Sequence, residues 1–151
     1  MNKLFYLLIL LSSFTFAQIK VVDPVKKETI GEIAPMGQLH IKVVKYPDTN
    51  EYTFIYSDAK FTKITDLKSF TFKDEDNAFE NLYKMIIDGL ANPPKESIML
   101  ELPDSFIWLD YVKALGTSNV RIGHSVGKSD VIGYSVWLTK KKVDKLFGKN
   151  K

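Results

Sequence analysis

Along residues 39–46 apolar and polar side chains alternate. Leu39, Ile41 and Val43 fall on one side of an extended chain, and His40, Lys42 and Val44 on the other. A period of two is that of a half-buried β-strand. Pro47-Asp48-Thr49-Asn50 supplies turn chemistry. The β-branched and aromatic run Tyr52–Tyr56 then predicts a second strand. Ser57-Asp58-Ala59 turns again, and Phe61–Ile64 and Ser69–Phe72 continue the pattern as an antiparallel meander.

The period changes after Asp74. Phe79, Leu82, Tyr83, Ile86 and Leu90 recur at the spacing of one helical stripe. Asp74-Glu75-Asp76 suits the positive end of that helix, where Asp74 or Asp76 can cap it. Glu80 and Lys84 are spaced for a surface ion pair, and Asn92-Pro93-Pro94 ends the element. Ile98, Leu100 and Leu102 alternate again as a strand.

Phe106–Leu115 carries two signals. Asp104 can cap a helix and Gly116 can close it, yet Trp108-Leu109-Asp110-Tyr111-Val112 suits a buried strand, which is the reading preferred. Val120–Val126 and Val131–Leu138 read as strands joined by the turn Gly127-Lys128-Ser129-Asp130. Thr139 can cap a short helix, Lys140–Phe147, that Gly148 stops. Toward the N-terminus, Ile19–Val22 reads as a short strand, Lys26–Glu28 as linker and Ile30–Ile33 as an edge pairing, in a segment (18–37) expected to be partly mobile. The expected fold is therefore α+β: an antiparallel sheet of roughly six to eight strands against one amphipathic helix, with a short C-terminal helix, in one domain over 38–151.

The first residues follow a different pattern. Asn2-Lys3 precedes an unbroken apolar run, Leu4–Leu11, then Ser12-Ser13 and a small-residue exit at Ala17 before Gln18. These are the three regions of a cleavable signal peptide over residues 1–17. The run is too short for a spanning helix, which needs about 20 apolar residues. No later stretch approaches a second span, so the mature chain is expected to carry no transmembrane segment and to act in the periplasm or outside the cell.

Removing those 17 residues from 151 leaves 134, enough for one domain with a core. The leader holds one lysine and no acid, so the mature chain has 20 basic and 18 acidic residues, a net +2. Arg121 is the only arginine. Planar guanidinium forks are the usual readers of phosphate and base edges, so no nucleic-acid partner is expected. With no cysteine there are no disulfides and no thiolate metal sites.

Two segments imitate catalytic motifs. Gly123-His124-Ser125-Val126-Gly127 fits G-x-S-x-G, the nucleophile elbow. The elbow needs a helix after the serine and a histidine later in the chain. A strand pattern follows instead, no histidine lies beyond Ser125, and His124 would face away from it. Gly123, Gly127, Lys128 and Ser129 come one residue short of a P-loop and also lack its helix. Asp74-Glu75-Asp76-Asn77 with Glu80 lacks the glycine and the final glutamate of a calcium loop, and His40 and His124 are too isolated for zinc. No catalytic, cofactor-binding or metal residue is therefore assigned, and no cofactor is expected.

The C-terminal helix concentrates Lys140, Lys141, Lys142, Lys145, Lys149 and Lys151 around Asp144. It can contact an anionic surface weakly, or dock through Val143, Leu146 and Phe147 with its lysines in solvent, which is the preferred reading. The functional expectation is a non-enzymatic exported binding or interaction module acting on a protein or envelope component. The alternatives are a small exported hydrolase using carboxylates such as Glu101 or Asp110, and an envelope-associated structural protein using the lysine-rich end.

Overall fold

The computed structural model describes residues 23–61, 64–127 and 129–150. The leader and the strand expected at residues 19–22 lie outside them. The fold is α+β, as expected, with its strands divided between two antiparallel sheets.

The first sheet is a meander in chain order: β1 (Glu28–Ile33), β2 (Ile41–Tyr46), β3 (Glu51–Ser57) and β4 (Leu67–Lys73). The alternation at 39–46 does what it predicts, since Ile41 and Val43 are fully buried on the inner face. Opposite them in register stand Tyr56 and Phe54, and then Lys68 and Phe70 on β4. The expected strand at Phe61–Ile64 is a correction: Phe61 and Ile64 are both exposed and neither belongs to a strand. Asp58 donates its N–H to the Asp66 carbonyl and takes Lys68 on its carboxylate.

Helix α1 (Ala78–Ala91) follows, and it buries Phe79, Leu82, Ile86 and Leu90, four of the five stripe residues. Tyr83 is half-buried and donates to Asp144. Asp74 does cap, accepting the Phe79 N–H at 3.0 Å. Glu80 pairs with Lys149 at 2.6 Å rather than with Lys84.

The second sheet runs β5 (Ile98–Leu102), β6 (Ser105–Ala114), β7 (Thr117–Val126) and β8 (Ile132–Tyr134), with β9 (Leu138–Thr139) also on β7. Residues 105–114 are thus strand, with Ser105, Ile107 and Leu109 buried on one face and Phe106, Trp108 and Asp110 half-buried on the other. The single strand expected over Val131–Leu138 is broken at Ser135. There the Ser135 hydroxyl, instead of a backbone carbonyl, accepts the Ile122 N–H at 2.9 Å, which ends the regular ladder. Thr139 caps α2 (Lys140–Leu146), accepting the Lys142 N–H, and Gly148 follows with a positive φ of 68°.

The two inner faces and both helices share one core. Phe79 of α1 lies flat on Tyr52 of β3, with ring centroids 3.9 Å apart, and Phe147 stacks on Phe79 at 4.8 Å. Val143, Leu146 and Phe147 are all buried, so the C-terminal helix docks by its apolar stripe. No helix among the described residues is long and apolar enough to cross a membrane.

Candidate functional site

β4 and β5 each stand at the end of their sheet. Between them lies a cleft of about 1020 Å3. One wall is five consecutive residues of β4, Ser69–Lys73, and the other is five consecutive residues of β5 and its turn, Leu100–Asp104. The first turns of α1 add Ala78, Leu82 and Met85, while Ile107 and His124 form the floor. The lining is mostly apolar, because alternation on β4 and β5 directs Phe70, Phe72, Leu100 and Leu102 inward. The rim carries charge, with Glu51, Lys73, Glu75 and Asp104. The Pro103-Asp104 turn joins β5 directly to β6 and sets the height of one wall.

His124 is the one titratable side chain on the floor, and it is only 2% exposed. Its Nδ1 lies 3.2 Å from the Tyr56 hydroxyl, and its ring lies 5.3 Å from that of Phe70. Burial, helped by the nearby Lys68 ammonium, holds its pKa below the ordinary histidine value, so the imidazole is neutral at pH 7. Burial and the carboxylates of Asp58 and Asp66 raise the Tyr56 phenol well above its usual value, so it too stays neutral. The buried Tyr56 hydroxyl fixes the His124 ring from behind, and the neutral imidazole is the polar group that the floor offers to a ligand. The two groups are poorly placed to abstract a proton, since neither has a charged partner that activates it.

Of the residues singled out by motif, His124, Val126, Gly127 and Glu75 line the cleft, but Ser125 does not. Ser125 sits inside β7, fully buried, and its Oγ has no hydrogen-bond partner. His124 precedes it on the opposite face of the strand, and β8 follows the turn after Ser125 where an elbow or a P-loop needs a helix. Asp74-Glu75-Asp76 precedes α1, and of the three Asp74 accepts a helix N–H, that of Phe79.

Glu101 lines the cleft, but Asp110 does not. Asp110 is engaged on both oxygens, by Ser97 and by the Arg121 Nε at 2.9 Å. Glu101 pairs with Phe106, four residues before Asp110 on β6. At about 3.3 Å per residue the two carboxylates are roughly 13 Å apart along the strand, beyond the reach of a cooperating acid pair. Among the described residues, no three His, Asp or Glu side chains converge in a group that could hold a metal ion.

The sequence marked Glu101 as a candidate carboxylate and the segment around His124 as a motif match, but it did not mark the walls as a site. The walls are ordinary strand residues, and only the order of strands brings them together. The nearest signal was the repeated alternation at Ser69–Phe72 and Ile98–Leu102, which marks two half-buried strands but not their mutual approach. No family model matches the chain, and no curated protein matches it with significance.

Proposed function

We propose that the chain is an exported, non-enzymatic binding module that takes an apolar ligand into the cleft between β4 and β5. The observation that carries this reading is the cleft itself. It is large, mostly apolar and open, and the histidine on its floor is neutral and held from behind by the buried Tyr56 hydroxyl rather than by a charged partner. That is the composition of a recognition pocket, in which apolar walls supply affinity and a few polar groups supply orientation. The N-terminal leader supports the exported location. The engagement of Asp110 by Arg121 and the burial of Ser125 weigh against a hydrolase that uses either residue.

The test is binding of 1-anilinonaphthalene-8-sulfonate to the mature protein at neutral pH. Saturable enhancement of fluorescence at one site is expected, lost in Met85→Glu and kept in Lys84→Glu on the solvent side of the same helix. Circular dichroism should show both variants folded. Absence of saturable binding, or equal binding by both variants, would remove the cleft from consideration.

A further inference from the structure

The two sheets have four edges, and they are treated differently. The β1 edge is blunted twice. A bulge between Thr29 and Gly31 breaks its register, and the last turn of α2 is pressed onto Gly31, whose missing Cβ would collide with the carbonyl oxygens of Lys145 and Leu146. The edge at β8 and β9 is only three and two residues long. It is also covered, because the Tyr134 carbonyl accepts the Ala59 N–H at 2.7 Å and the Tyr134 N–H donates to the Asp58 carboxylate at 3.2 Å. Bulges, short strands and covering loops are how folded chains keep unpaired strands from recruiting others.

β4 and β5 carry no such device. They are seven and five residues long, and no strand of the described residues pairs with the outer side of either. β4 is regular throughout, each residue from Leu67 to Lys73 opposite one of β3. Both unblunted edges open onto the same cleft.

We infer that the occupant of the cleft is an extended polypeptide segment, with an apolar side chain at every second position, that adds as a strand to β4. The inference rests on the reading of the cleft as a binding site and names its ligand class. An acyl chain would fill the apolar volume but would cover the N–H and C=O groups that no strand pairs along the outer side of β4 without bonding to them, at a cost for each group. A peptide strand satisfies those groups while its alternate side chains enter the pocket beside Phe70, Leu82 and Leu100.

The experiment pans the mature protein against random twelve-residue peptides displayed on phage. The best peptide is then synthesised with and without N-methyl groups at alternate residues, in both registers, beside a fluorescent undecanoate probe. Selected sequences are expected to alternate apolar and polar positions and to lose binding in Met85→Glu. N-methylation in one register should weaken binding at least about tenfold, since it removes several backbone donors. Peptides that bind equally in all N-methylated forms, or recovery of no peptide while the undecanoate binds, would overturn strand addition and leave an apolar-ligand cleft. Failure of both probes to bind would overturn the inference together with the cleft.

Discussion

Tyr56 and His124, 68 positions apart in the chain, meet through a 3.2 Å contact between hydroxyl and Nδ1 where the inner faces of the two sheets come together. Both are buried, at 0% and 2% exposure. Neither has another hydrogen-bond partner among the described side chains that could replace the lost contact. Tyr56→Phe should therefore leave the His124 Nδ1 without a partner and cost about 1–3 kcal/mol of stability. Urea unfolding of the two proteins measures this, and an unchanged midpoint would mean that water already serves the imidazole.

His124 and Asp58 should give stability two separate dependences on pH. The folded pKa of His124 lies below 6.5. As pH falls through 6.5 the unfolded chain therefore takes up a proton that the folded state resists, and stability declines until the lower folded value is passed. For Asp58, burial works against ionisation, but the hydrogen bonds from the Lys68 ammonium and from the Lys60 and Tyr134 N–H groups outweigh it and hold its pKa below 3.8. Its contribution is present above 3.8 and is lost as pH falls through the folded value. Unfolding midpoints followed from pH 8 downward should show the first decline vanish in His124→Gln and the second, more acidic one shrink in Asp58→Asn. Asp144, lowered in the same direction through its bonds from Lys140 and Tyr83, should preserve part of the acidic decline.

The stripe of α1 should dominate local energetics. Ile86 is 1% exposed, while Lys84 lies on the solvent side. Ile86→Ala should cost about 2–5 kcal/mol, and Phe79→Ala, which also removes a ring from the stack on Tyr52, about 3–5 kcal/mol. Lys84→Ala should change stability by no more than about 0.5 kcal/mol. Equal small shifts in urea melts at Ile86 and Lys84 would mean that the helix does not carry the core.

Ser125 should be inert. Its hydroxyl is buried without a partner, so Ser125→Ala removes an unsatisfied polar group and should leave stability within about 1 kcal/mol of the parent, toward greater stability. A fluorophosphonate probe should not label the parent protein. Labelling that disappears in Ser125→Ala would restore the serine as a nucleophile.

Export should leave Gln18 as the first residue. N-terminal sequencing of protein recovered outside the cytoplasm measures this, and retention of Met1 there would overturn it.

Local periodicity made most of the elements legible in the sequence. The stripe from Phe79 to Leu90, the alternation through Ile41 and Val43, and the capping residues Asp74 and Thr139 all act within a few residues of themselves, and all fall where their pattern places them. What escaped depends on distant partners. Glu80 has Lys84 one turn away but bonds Lys149, because docking of α2 brings that lysine closer to hand. Val131–Leu138 has the composition of one strand, yet a single serine hydroxyl substituting for a carbonyl divides it. The cleft was invisible for the same reason. Alternation identifies β4 and β5 as half-buried, but which strand has a neighbour on each side is settled only when the sheets close. Leu115, fully exposed with φ of 49°, forms with Gly116 at φ 78° the two-residue turn between β6 and β7, which demands a positive φ at both positions and leaves the leucine side chain in solvent.

The seating of α2 on Gly31 ties the beginning of the described chain to its end. A ribosome delivers residue 31 long before residue 147, so β1 must wait for its cover, and the ring stack around Phe54 and Phe79 must wait for Phe147 to complete it. Until those last residues emerge the aromatic cluster lacks one wall. A polypeptide built this way keeps its central aromatic cluster open until residue 147 has left the ribosome, so the core cannot close strand by strand as the sheets form.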